Sequence, residues 1–257
     1  CDLATLCSAY ERARSAVALA DSSEASTRLR ALRMRCNAFA EAAITRARGV
    51  VEGKVSEREL AATAQLLTDA CAAAECFLES ADASELARLR QTAARLFAST
   101  VNQGSSADAI RNARQRLQEA SGEPDTTGAM QKAMARLQAL AKEHVSAAMA
   151  LESATDATSD VAARTAVASA MADAHSVATT FAMDAAVRLA QRRDACRRLA
   201  ESKALLLNGL RTVGAVDASS SVSTLHGAVS VAVRALERAG PLGSVSEVAE
   251  LRASLVE

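Results

Sequence analysis

The sequence is marked first by what it is short of. Tryptophan is absent, Tyr10 is the single tyrosine, and four phenylalanines complete the aromatics, so there is no row of rings on which nucleic-acid bases could stack. Two prolines and ten glycines in 257 residues leave long intervals without a helix breaker. No window of about 18 apolar residues occurs, which excludes a membrane-spanning helix. Thirty basic side chains balance thirty acidic ones, so no net field draws the chain to nucleic acid or to an anionic lipid surface. Runs of alternating β-branched residues, the sign of a strand, are missing too.

What is present is alanine. Half of the residues are apolar, enough for a core of ordinary size, and alanine dominates them. It is the strongest helix former and the smallest side chain that can line a helix seam. The expected fold class is therefore all-α: an elongated antiparallel helical bundle with one or more long coiled-coil-like helices. It is read as a single domain over 1–257, with a possible subdivision near 122–128, where GEPDTTG reads as a linker.

Apolar spacing and caps predict helices over about 3–20, 27–51, 56–80, 83–100, 107–120, 130–151 and 221–238, with a short one at the end. Ser56 with Glu59, and Ser244 with Glu247, have the spacing of capping boxes, and DASE at Asp82 to Glu85 repeats the start signal. From Val161 to Val213 no glycine or proline intervenes before Gly209. One helix of roughly 50 residues, about 75 Å long, is expected there.

The six cysteines carry most of the functional information. In the third helix Leu60, Ala64, Leu67, Cys71, Ala74 and Leu78 form a heptad seam, and in the second Leu29, Leu32, Cys36, Phe39, Ala43 and Val50 do the same, interrupted by Arg46. If the two helices fold back about Gly53 and Lys54, Cys36 and Cys71 are nearly equidistant from the loop. A Cys36–Cys71 disulfide is expected in an oxidising compartment; the alternative is two buried free thiols acting as small apolar groups. Cys71 and Cys76, five residues apart, differ by roughly 140° around the helix and lie about 9 Å apart, so they serve different neighbours. Cys76 then has Cys1, Cys7 and Cys196 as possible mates, a pairing the sequence leaves open. An N-terminal Cys1 is also what a processed lipoprotein exposes for lipidation, and a start at Cys1 without Met is read as a processed mature chain or a trimmed one.

Reactive chemistry is not expected, so the chain is read as no enzyme, with no cofactor and no metal. His144, His175 and His226 fall on three different predicted helices, and none belongs to HExxH or to the Glu-x-x-His pairs of di-iron bundles. No CxxC, GxGxxG, P-loop or GxSxG occurs. Two arginine-rich stretches, RLRALRMR at 28–35 and QRRDACRR at 191–198, spread around a helix and read as solvated surface rather than as an anion or nucleic-acid site.

The start CDLATLCSAY, the Cys36/Cys71 hairpin and the long interval from Val161 to Val213, all in alanine-rich and nearly aromatic-free sequence, resemble the alanine-rich surface coat proteins of African trypanosomes. The glutamic acid/alanine-rich type of Trypanosoma congolense is nearest, with the variant-surface-glycoprotein-like helical bundles more distant. The resemblance spans the chain and rests on format. It implies an extracellular cell-surface protein, held to the membrane by a C-terminal glycolipid (GPI) anchor and packed against neighbouring coat molecules, with host molecules as further contacts. Two other readings stand beside it: an intracellular scaffold like the alanine-rich bundles of talin or vinculin, which binds partner helices and keeps its thiols reduced, and a surface receptor for a host ligand, which calls for a lateral apolar patch.

Overall fold

The computed structural model describes residues 3–20, 23–53, 55–78, 81–122, 128–155, 160–217, 220–238 and 246–255. Among them the regular elements are α1 (Leu3–Ala20), α2 (Ser23–Glu52), α3 (Leu60–Phe77), α4 (Ala83–Thr100), α5 (Ala107–Glu119), α6 (Ala129–Ala154), α7 (Val161–Thr180), α8 (Ala186–Gly214), α9 (Val222–Arg238) and α10 (Ser246–Ser254), with 3-10 turns at Glu57–Glu59 and Ala120–Gly122. The fold is an all-α helical bundle. It divides into two compact units, Cys1–Ala139 and Leu140–Glu257. The division falls inside α6; of the linker read at 122–128, residues 123–127 lie outside the described residues.

In the first unit α2 packs on α3, α3 on α4 and α4 on α5, while α1 rests on α2 and α3. One apolar cluster gathers Ile44, Ala47, Leu67, Ala70, Cys71, Ala74, Leu86 and Leu89. A second holds Tyr10, Cys36, Ala40, Ala73 and Phe77. Helix starts follow the sequence where a side chain can reach the first turn: Asp82 Oδ1 accepts from the N–H groups of Ser84 and Glu85 at 2.9 and 3.3 Å, and Ser106 Oγ accepts from that of Ala109 at 3.3 Å. The capping box expected at Ser56 does not form. Its hydroxyl donates to the Glu59 carboxylate at 2.7 Å instead, and the chain passes through a 3-10 turn before α3 begins at Leu60.

The seam of α3 is the one expected, with Ala64, Leu67, Cys71 and Ala74 buried and Leu60 and Leu78 half-buried at its ends. The seam of α2 is corrected. Its buried residues are Cys36, Ala40, Ile44 and Ala47, and Phe39, assigned to the seam, is 49% exposed. A helix of 3.6 residues per turn drifts about 20° per heptad against a strict seven-residue repeat, and the buried row of α2 steps accordingly.

In the second unit α7 packs on α8, and α9 and α10 both pack on α8. The expected single helix from Val161 to Val213 is two helices. The reason is a Schellman turn made without glycine: Met183 N–H donates to the Ala178 carbonyl at 2.9 Å and Ala182 N–H to that of Thr179 at 3.1 Å, with Ala182 in the left-handed region at φ 50°. Met183, just past the cap, packs on the cluster that contains Ala178, Met171, Ala174 and Leu189, supplying the apolar contact that accompanies this motif. A corner closed by alanine leaves no breaker to read.

Gly209 of α8 is the glycine whose missing side chain is used. A Cβ there would lie 3.1 Å from both Ala235 Cβ of α9 and Leu251 Cδ2 of α10, so three helices converge on it. Two outcomes are expected in urea denaturation. Ala182→Gly raises stability by about 1 kcal/mol by relieving the left-handed alanine, whereas Gly209→Val lowers it by about 1–3 kcal/mol through overpacking. Unchanged midpoints in both variants would remove these accounts of the corner and the crossing.

Candidate functional site

The cysteines are not where pairwise spacing placed them. Cys36 and Cys71 lie in different clusters, Cys36 with Tyr10, Ala40 and Phe77 and Cys71 with Ile44, Ala47 and Leu86, and both are free thiols. The offset comes from the α2–α3 connection. The Asn37 amide is placed to donate to the Phe77 carbonyl at 2.6 Å, so the hairpin is centred near Glu57 and not at Gly53 and Lys54. That moves the residue level with Cys36 by two helical turns along α3, about 10 Å from Cys71.

Three thiols meet instead. Cys36 belongs to the Tyr10–Phe77 cluster, and Cys7 and Cys76 pack against it from α1 and α3. Cys7 and Cys76 thus flank the same ring contact, one on each helix. Burial first, then the neighbouring Cys7 thiol, push the Cys76 thiol up to about 12. Burial and the neighbouring Cys7 raise that of Cys36. The Tyr10 and Phe77 rings meet edge to face at 5.5 Å between centroids, 84° apart, fixing α1 against α3 beside the thiols.

The remaining thiols are separate. Cys71 Sγ donates to the Leu86 carbonyl at 3.7 Å, and burial raises its pKa. Cys196, in the second unit, donates to Glu152 Oε1 at 3.7 Å; burial first and the Glu152 charge second raise it. Cys1 lies outside the described residues. Raised thiols such as Cys36, Cys71, Cys76 and Cys196 stay protonated at neutral pH and act there as small apolar groups with a weak donor.

Charged side chains that leave full solvent are joined across helices. Arg48 of α2 grips the Glu85 carboxylate of α4 through Nε and Nη2, which holds that carboxyl below its ordinary value. Arg90 of α4 pairs with Glu75 of α3, and Arg192 of α8 with Glu152 of α6 at 2.9 Å. Lys203 of α8, 2% exposed, pairs with Glu247 of α10. The Lys203 hydrogen bond is the main cause that holds the Glu247 carboxyl below the usual 4.5. Glu247 was assigned to a capping box whose other member, Ser244, lies outside the described residues.

The other arginines of 191–198 are engaged too, mostly within α8 itself. Arg193 reaches Asp194 at 2.9 Å and His175 Nδ1 at 3.3 Å, Arg197 pairs with Glu201 at 3.7 Å, and Arg198 donates to the Asp194 carbonyl at 3.2 Å. In 28–35, Arg28 pairs with Glu24 at 2.6 Å within its own helix. His144 is half-buried and His226 exposed, and among the described residues no group of three or more His, Cys, Asp and Glu is placed to hold a metal. Nor, among them, is any helix long and apolar enough to cross a membrane.

Two grooves of about 570 Å³ complete the surface. One runs between α3, α4 and α5, lined by Cys71, Glu75, Arg90, Arg116 and Glu119, with the Arg116 guanidinium 4.2 Å above the Phe97 ring. The other lies between α8, α9 and α10, where Leu210, Val213, Leu225, Val229 and Leu255 line it together with the polar Asp217, Glu250 and Ser254. No protein-family model matches the chain, and no curated protein or solved structure is significantly similar to it.

The buried Lys203–Glu247 pair was missed in the sequence although a signal was present: Leu199, Lys203, Leu206 and Leu210 share one apolar row of α8, all buried or half-buried. Glu247→Gln is expected to cost about 3 kcal/mol, because it strands a buried ammonium, while replacing both partners by apolar residues restores that loss. The folded Glu247 pKa lies below its unfolded value, so the carboxylate's contribution is complete above about pH 4.5 and is lost as pH falls through the lower, folded value. Thermal midpoints of the native chain and Glu247→Gln, measured from pH 7 down to pH 3, should converge on the acid side. A constant gap would rule the pair out as the source.

Proposed function

We propose that the protein is a non-enzymatic cell-surface coat protein of the alanine-rich type it resembles, glycolipid-anchored at its C-terminus and packed beside neighbouring coat molecules. The observation that carries the reading is the use of charge. Arg48–Glu85, Glu75–Arg90, Glu152–Arg192 and Lys203–Glu247 each join two helices, so charged side chains, buried in the case of Lys203 and largely at the surface elsewhere, are engaged in holding the bundle together. A coat needs a durable surface and no reactive group, and a bundle so clamped suits that work.

A second reading, capture of a host ligand or of a partner helix, draws on α9. Val222, Leu225, Val229 and Val233 are 83, 42, 47 and 43% exposed and recur at helical spacing along one face, and Leu225 and Val229 also line the groove of the second unit. An exposed apolar stripe of this kind is what a docking surface offers.

The coat reading is tested on intact cells that make the protein. A membrane-impermeant amine reagent should label it without permeabilisation, and a phosphatidylinositol-specific phospholipase C should release it into the medium. Labelling that requires permeabilisation would sink the coat. Intact-mass analysis after native, non-reducing alkylation adds the compartment: disulfides accord with a surface protein, and six alkylated thiols leave the intracellular scaffold.

A further inference from the structure

The α1 helix rests on α2 and α3, and where it meets the Tyr10–Phe77 cluster it brings one sulfur of its own beside one of α3. Cys7 is one turn before Tyr10 on α1, and Cys76 is adjacent to Phe77 on α3. The edge-to-face ring pair sets the two helices side by side at this level, and Cys7 and Cys76 both pack against the cluster that contains it. Two sulfurs that flank one ring contact on neighbouring helices meet the first requirement of a disulfide, that packing hold the two helices side by side where the thiols sit. Cys36, the third thiol of the cluster, is 3% exposed, so an oxidant in solution meets Cys7 and Cys76, which are both half-buried, before it meets Cys36.

We propose that Cys7 and Cys76 form a disulfide that staples α1 to α3, leaving Cys36 and Cys71 as reduced core thiols. The oxidant is a small disulfide such as oxidised glutathione. One of the two thiols loses its proton and attacks a glutathione sulfur, expelling one glutathione thiolate and leaving a mixed disulfide on the protein. The other thiol, deprotonated in turn, attacks the protein sulfur of that bond and expels the second glutathione thiolate. Two protein thiols are oxidised by two electrons, and one glutathione disulfide is reduced to two thiols. The bond closes a loop from residue 7 to residue 76, long enough for cross-linking to restrict the unfolded chain strongly. The inference concerns the chain itself and holds whether or not the protein is a coat.

The experiment uses the full chain, reduced, freed of reductant and equilibrated with oxidised glutathione at pH 8, then alkylated and mapped by peptide mass. The expected result is a Cys7–Cys76 cross-link in the native chain and in Cys36→Ala, its absence in Cys76→Ser, and a melting temperature about 5 °C or more above that of the reduced protein. A Tyr10–Phe77 contact intact in Cys76→Ser, judged by unchanged helicity and Tyr10 near-ultraviolet dichroism, separates loss of the bond from loss of the fold. Alkylation of both Cys7 and Cys76 after oxidation overturns the proposal, as does their persistence as glutathione adducts or a bond from either to Cys1, Cys36 or Cys71. Failure of the cell-surface labelling leaves this result untouched, and failure of the cross-link leaves the labelling result untouched.

Discussion

The structure depends on how close alanine lets two helices come. Ala40, Ala47, Ala64, Ala73 and Ala74 in the first unit, and Ala174, Ala178, Ala232 and Ala235 in the second, are nearly or fully buried. Small side chains at a seam bring helix axes to the near end of the usual range, about 8 Å. Each alanine removes far less apolar area from water than a leucine does, so at about 25 cal/mol per Å² each contact contributes little by the hydrophobic effect. Close dispersion contact across a long seam compensates. The cost is tolerance: at Gly209 even one added methyl group would lie 3.1 Å from two neighbours.

A seam of that kind specifies its register weakly, because one alanine looks much like the next. Larger or polar groups supply what alanine cannot. In the first unit the Tyr10–Phe77 pair sets α1 on α3, and the Arg48–Glu85 and Glu75–Arg90 pairs set α4 against α2 and α3. In the second, Glu152–Arg192 and Lys203–Glu247 tie α6 and α10 to α8. Cross-helix ion pairs, exposed like Glu75–Arg90 or buried on one side like Lys203–Glu247, are weak contributors to stability but strict ones about geometry. The thiols belong to the same class of device, since two sulfurs can meet only where the register allows it. The functional reading follows from this division of labour, in which distinctive side chains are occupied in holding helices in place and the solvent-facing surface is left for whatever the protein covers or touches.

Most of the fold could be read in the sequence. The ranges of α1 and α4 match the expected spans, and the cap at Asp82 lies where DASE indicated. These are local features, decided by propensity and by a side chain reaching its own first turn. The corner at Ala182 could not be read, because its signal is a backbone conformation that alanine seldom adopts and that is held here by the packing of Met183 on the α7–α8 cluster. The seam of α2 was misjudged by a fraction of a turn per heptad, enough to put Phe39 outside.

The cysteines separate the two kinds of knowledge. That Cys71 and Cys76 must serve different neighbours followed from helix geometry alone, and the structure keeps them apart, one beside Leu86 and the other beside Cys7. Which partners they take was decided only by tertiary structure: a connection that turns near Glu57 displaced the expected α2–α3 pairing by two turns, and an aromatic contact from α1 brought Cys7 to the place where Cys1 or Cys196 could equally have stood. Composition and local chemistry determined that the chain would be helical, and where most helices begin and end, because those choices are made within a few residues. Which thiol meets which, and which lysine is buried, depends on a rotation of a few tens of degrees and a shift of a few residues between helices, and such quantities exist only once the helices are packed.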